Sequence, residues 1–141
     1  MTSALPLTGG CQCGACRYEL WDAPETIYCC HCSECRRQSA SAFGISVIVR
    51  TGTMRLIQGA PRSWTRPTAA GDVLDCRFCP DCGTRLWHQG ANQPDFRSVK
   101  GGTLDDPPDL SQVVHIHTDT MLKGVVLPHG VTTFAEEPPD R

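Results

Sequence analysis

The chain has 141 residues, with 13 Lys+Arg against 15 Asp+Glu and a net charge of −2. That length suits one domain with a modest core, and the charge balance argues against a general nucleic-acid binder, which would carry a basic stripe. No apolar run approaches the ~20 residues of a membrane span, and the first residues lack the charged and apolar regions of a signal peptide.

A cytoplasmic protein is therefore expected, with no nucleic-acid or membrane partner. Ten cysteines then need an explanation compatible with a reducing compartment, where such spacing means metal more often than disulfides. Thirteen glycines and eleven prolines favour a mainly β, turn-rich fold over long helices.

Residues 1–8 read as a loose lead-in. Gly9-Gly10 then opens Cys11-Gln12-Cys13-Gly14-Ala15-Cys16. Apolar and charged residues alternate over 16–20 with the period of a half-buried strand, so Cys16, Tyr18 and Leu20 share a buried face. Cys16 is on this reading a small core residue, which leaves Cys11 and Cys13 as a ligand pair. A turn at 23–25 leads into a short strand over 26–29.

That strand delivers the densest cysteine cluster, Cys29-Cys30-His31-Cys32-Ser33-Glu34-Cys35-Arg36-Arg37. Cys30, Cys32 and Cys35 repeat the Cys-x-Cys-x-x-Cys spacing of Cys11, Cys13 and Cys16. Zinc takes such thiolates in tetrahedral geometry, and three of them leave the fourth position open, the mark of a catalytic site. The alternative is that Cys29 or a distant cysteine fills the fourth position and the site is inert. Zinc with three thiolates carries about −1. Arg36 and Arg37 can offset that charge or meet an anionic substrate. Ser33 is a candidate N-cap for one or two helical turns over 34–40.

Strands are expected next over 43–49, 54–57, 63–66 and 73–79, separated by turns at Thr51-Gly52, Gly59-Ala60-Pro61 and 67–71. The last of them enters Cys79-Pro80-Asp81-Cys82-Gly83. In this zinc-knuckle pattern proline pre-sets a tight turn and glycine closes it with φ > 0. A redox Cys-x-x-Cys would open a helix, whereas 84–88 reads as a strand. Further strands are expected over 97–100 and 113–117. On the latter His115 and His117 share a face, in a structural hydrogen-bonding role. Residues 125–128 close the ordered part, and 136–141 are expected to fray.

The order of these motifs resembles the glutathione-dependent formaldehyde-activating enzyme family. The resemblance rests on Gly-Gly-Cys-x-Cys-Gly, on Cys-His-Cys-Ser-x-Cys-Arg and on Phe-Cys-Pro-x-Cys-Gly-Thr. Val99-Lys100-Gly101-Gly102-Thr103-Leu104-Asp105 and His115-Ile116-x-Thr118-Asp119 extend it. The resemblance implies one zinc domain over 5–130 between terminal extensions 1–4 and 131–141. It implies a β-tent fold, similar to that of a guanine-nucleotide-exchange accessory protein and of methionine sulfoxide reductase B.

It further implies a structural zinc on Cys11, Cys13, Cys79 and Cys82 and a second, open zinc on Cys30, Cys32 and Cys35 as the catalytic centre. There a carbon–sulfur lyase-type enzyme would join glutathione, held by Arg36 and Arg37, to formaldehyde or another small carbonyl. Cys16, Cys29 and Cys76 have no ligand role in the family pattern, and Lys123-Gly124 stands where the family usually places a proline-tryptophan pair. Two rivals are set beside this reading. One is a non-catalytic zinc module that binds a small thiol or a protein partner. The other is a methionine sulfoxide reductase, for which Cys29 and Cys76 are the redox candidates.

Overall fold

The computed structural model describes residues 4–139; positions 1–3 of the expected lead-in and 140–141 of the expected frayed tail lie outside it. Among the described residues the protein is mainly β, with one helix. The strands are β1 (Leu7–Gly10), β2 (Arg17–Leu20), β3 (Thr26–Cys30), β4 (Gly44–Arg50), β5 (Met54–Gln58), β6 (Arg62–Pro67), β7 (Val73–Phe78), β8 (Arg85–Gly90), β9 (Phe96–Lys100) and β10 (Val114–Ile116). The helix α1 spans Ser33–Ser39. The chain divides into two compact units. The first takes the residues to Thr26 together with Val47–Pro108; the second takes Ile27–Ser46 and the residues from Asp109.

In the first unit β1, β2 and β5 form a three-stranded antiparallel sheet with β2 in the middle. The expected alternation holds: Cys16, Tyr18 and Leu20 are buried, while Arg17 and Glu19 on the other face are partly exposed. The expected loose lead-in is instead strand from Leu7, because Leu7–Gly10 pair in register with Leu20–Arg17. Tyr18 donates or accepts a 2.7 Å hydrogen bond with Thr103 Oγ1, and Arg17 binds the Asp105 carboxylate in a two-pronged ion pair. Strands β6 to β9 follow as an antiparallel run. Val47, Val49, Leu86 and Val99 are completely or almost completely buried, as β-branched and aliphatic residues on packed strands should be.

In the second unit β10 lies parallel to β3, with Tyr28 opposite Val114, Cys29 opposite His115 and Cys30 opposite Ile116. Parallel pairing requires a long crossover, here the whole stretch of chain between the two strands. His115 also exchanges backbone bonds with the C-terminal segment, its N–H donating to Thr132 O and its carbonyl accepting from Phe134 N. Phe134, Tyr28 and Val114 pack on a small core of Cys30, Cys35 and Ile116. The expected strand over 113–117 ends at Ile116, because His117 adopts a left-handed backbone (φ 55°) and starts a short 3-10 turn.

Candidate metal centres

Two groups of cysteines have their sulfurs within 4.8 Å of one another: Cys11, Cys13, Cys79 and Cys82 in the first unit, and Cys30, Cys32 and Cys35 in the second. All ten cysteines are free thiols.

The four-thiol group is made by two tight turns. Cys11 and Cys13 stand on the connection from β1 to β2, and Cys79 and Cys82 on the connection from β7 to β8. Each turn closes on a glycine with positive φ, Gly14 at 84° and Gly83 at 82°, a conformation that side-chain-bearing residues rarely adopt. In the second turn Gly83 N–H donates to Cys79 O and Cys79 N–H to Thr84 O, both at 2.9 Å. The Thr84 hydroxyl ties the two turns together. It accepts from Gln12 N–H at 3.1 Å and lies 3.3 Å from Cys82 Sγ, to which its own hydrogen can be given. With the Thr84 backbone N–H, that hydroxyl holds the Cys82 thiol down at about 5.

The sulfur separations fit a metal. Thiolates at 2.3 Å from a tetrahedral zinc stand about 3.8 Å apart. Cys11 Sγ lies 3.6 Å from Cys13 Sγ, and Cys13 Sγ 3.8 Å from Cys79 Sγ. Cys16 is buried beside them and its N–H donates to Cys11 Sγ at 3.2 Å. Burial, with the neighbouring Cys79 and Cys11 thiols, pushes Cys16 up to about 12. Its sulfur stands outside the four that gather within 4.8 Å, in line with its reading as a core residue.

The three-thiol group is built by a strand end and a helix start. Cys30 ends β3, Cys32 follows two residues later on the same side of an extended chain, and Cys35 sits one turn into α1. The helix is capped by Cys32 and not by Ser33: Cys32 Sγ accepts the Cys35 N–H at 3.3 Å, so a ligand sulfur takes the place of the hydroxyl oxygen of an ordinary cap. The neighbouring Cys30 and Cys35 thiols, with backbone N–H groups of Cys35 and Glu34, hold Cys32 far below the usual thiol value. The same contacts with Cys32 and Cys35 push Cys30 up. Three gathered sulfurs beside a helix N–H donor are a donor set suited to a metal.

Gln38 Nε2 donates to Cys35 Sγ at 3.4 Å, one helical turn further on. Gly44 lets the start of β4 lie against the Cys35 side chain, 3.2 Å from where a Cβ would stand. Cys29 is absent from the group. Adjacent strand residues point to opposite faces, and Cys29 is fully buried beside His115 in the register. Burial alone pushes its thiol up to about 11. Arg36 and Arg37 follow Cys35 directly on α1, the first half-buried and the second exposed.

The histidines are arranged differently from the sequence expectation. His115 and His117 take separate partners. His117 Nε2 pairs with Glu137 Oε1 at 3.0 Å, while His115 Nδ1 meets His31 Nε2 at 2.8 Å across 84 positions. Both keep the structural hydrogen-bonding role expected of them, with other partners. The His31–His115 contact and the Gln38 bond to Cys35 were not anticipated. An i, i+3 spacing was available as a signal for Gln38, and none for the histidine pair.

This chain matches the glutathione-dependent formaldehyde-activating enzyme family over residues 6–120. It belongs to that family. The family match covers all seven clustered cysteines and both histidines of the buried pair. A crystal structure of a Rhodobacter sphaeroides protein is similar in fold, with a TM-score of 0.55 and 24% identity over 91% of this chain and 99% of the other. Two cysteine clusters compatible with zinc are thus set in a mainly β member of this family. No helix among the described residues is long and apolar enough to cross a membrane.

Proposed function

We propose that this chain is a zinc-dependent enzyme that adds a thiol, glutathione or one like it, to formaldehyde or another small carbonyl. The observation that carries the reading is the difference in donor number. Four sulfurs gather in one cluster and three in the other, with the nearest spare cysteine, Cys29, turned to the opposite face. Four thiolates close a tetrahedral site, and three leave a position for a co-substrate. Family membership supports the reaction class.

Cys11, Cys13, Cys79 and Cys82 would hold a structural zinc, and Cys30, Cys32 and Cys35 an open one. When bound at the open site, zinc supplies a position at which a thiol loses its proton, together with modest Lewis acidity. The residues of the chain do the rest. Cys32, whose sulfur accepts the Cys35 N–H at the start of the helix, anchors the site. Gln38 draws charge from Cys35 by its N–H donation. Arg36 and Arg37 offset the cluster's negative charge and offer charge-assisted hydrogen bonds to the carboxylates of an anionic thiol. In the reaction the sulfur–carbon bond forms, the carbonyl π pair moves onto oxygen, and the proton lost by the thiol ends on that oxygen, giving an S-hydroxyalkyl product.

The test is nuclear magnetic resonance of carbon-13 formaldehyde mixed with glutathione. The native, zinc-loaded chain should speed exchange between free formaldehyde and its thiol adduct above the spontaneous rate, and Cys32→Ser should not. Thiol binding by the native chain with no gain in exchange rate would favour a non-catalytic zinc module.

A further inference from the structure

Behind the three-thiol cluster lies a buried pair of histidines that the reaction does not use. His31 is completely buried and His115 is 3% exposed. Their rings are 5.1 Å apart and inclined at 29°, joined by the 2.8 Å contact between His31 Nε2 and His115 Nδ1, with Phe43 packed 5.0 Å from the His31 ring. At 2.8 Å the two facing nitrogens must be one donor and one acceptor, so one carries a hydrogen and the other a lone pair.

A neutral pair holds two ring N–H groups. One forms the shared bond, whichever ring donates it. The remaining proton then sits on the outer nitrogen of the accepting ring, and the outer nitrogen of the donating ring is bare. Those outer nitrogens are His31 Nδ1 and His115 Nε2, both buried and without a hydrogen-bond partner among the described residues. Two aromatic carbocycles would fill the same space and leave no such groups. Packing alone therefore does not account for the pair; the single directed bond between the rings does.

What that bond fixes is the residue between two ligands. His31 separates Cys30 from Cys32, and its side chain lies on the face opposite to theirs. Its backbone is held at both ends, the N–H donating to Ile116 O and the carbonyl accepting from Thr120 Oγ1, each at 3.0 Å. A shift of the His31 backbone would move both flanking sulfurs, and the side-chain bond to His115 ties that residue at a third point. We propose that the His31–His115 hydrogen bond is a positioning device that sets the placing of Cys30 and Cys32, and so the geometry and metal affinity of the three-thiol site. The inference rests on the reading that Cys30, Cys32 and Cys35 hold a metal.

The experiment uses the whole chain loaded with cobalt, which reports ligand geometry by its visible bands; Cys32→Ser supplies the spectrum of the four-thiol site alone. His115→Phe keeps an aromatic ring and removes the bond. His115→Asn restores it, because the asparagine amide nitrogen or oxygen falls near the position of His Nδ1. In His115→Phe, affinity at the three-thiol site, measured by chelator competition, should fall at least about tenfold, the range seen when groups that orient ligands are removed. Its bands should shift while those of the four-thiol site stay as they are, and His115→Asn should recover most of the loss. A folded His115→Phe with unchanged bands and affinity would overturn the proposal. So would an asparagine variant no better than phenylalanine, or a phenylalanine variant that empties both sites alike. A native chain that takes cobalt only at the four-thiol site would overturn the metal reading itself and the proposal with it.

Discussion

The two cysteine clusters begin from the same spacing. Cys11, Cys13 and Cys16 have the same spacing as Cys30, Cys32 and Cys35, yet only the second trio clusters as three. The backbone after the second cysteine makes the difference. Behind Cys13, Gly14 turns the chain back with φ 84°, and Cys11 and Cys16 then pair through Cys11 N–H to Cys16 O. Cys16 is left at the base of a hairpin, a buried core thiol, and two distant cysteines complete the cluster. Behind Cys32 a helix begins, and one turn of helix brings Cys35 back over Cys32. Identical spacing thus yields a closed site where the chain makes a hairpin and a three-sulfur site where it makes a helix.

The comparison breaks most plainly at the ligands. Cys79→Ser or Cys82→Ser should release the four-thiol metal and unfold the chain, since structural zinc supplies on the order of 10 kcal/mol of apparent folding energy in small domains. Circular dichroism melts would show it. Cys32→Ser should lower the metal content from two ions per chain to one by elemental analysis and leave the strands folded. Equal loss of fold from both substitutions would make the two sites alike and remove the distinction drawn here.

The thiols outside the clusters sharpen it. Cys16→Ala, Cys29→Ala and Cys76→Ala should each keep both metals and cost about 1–3 kcal/mol from lost burial in denaturant titrations. Release of a metal by Cys29→Ala would mean that Cys29 completes the second site.

The smallest effect concerns the strand that leads from the first turn. The Arg17 guanidinium and the Thr8 hydroxyl hold Asp105 down at about 2, against an ordinary 3.8. A carboxylate depressed in the folded state stabilises it above the ordinary value, and the contribution is lost as pH falls from about 4 through about 2. Because both partners are partly exposed, Asp105→Asn should cost less than about 1 kcal/mol at pH 7. Most of that difference from the native chain should vanish at pH 2.

Much of this architecture was legible in the sequence because its signals are local. Alternation marked Cys16, Tyr18 and Leu20 as buried, and the Cys-Pro-x-Cys-Gly turn marked the second half of the closed site. Turn-forming glycines and prolines marked most strand limits to within a residue or two. The helix cap was misplaced by one residue because a cysteine, not a usual cap former, supplies the acceptor. The histidine partners were not legible at all. Alternation puts His115 and His117 together only while the strand lasts, and it ends between them when His117 turns left-handed. The parallel pairing of β10 with β3 brings His31 and His115 together across 84 positions, a contact with no periodic trace.

The central claim is that one cluster admits an outside thiol and the other does not. Cobalt substitution tests it most directly, because each added thiolate strengthens the sulfur-to-metal charge-transfer band. With cobalt in both sites of the native chain, glutathione should raise the band by about one thiolate on top of the seven that the protein supplies. The rise should be weaker in the Arg36→Ala, Arg37→Ala double variant and absent in Cys32→Ser. A native spectrum unmoved by millimolar glutathione and by smaller thiols would mean that the fourth position is closed, and would contradict the account.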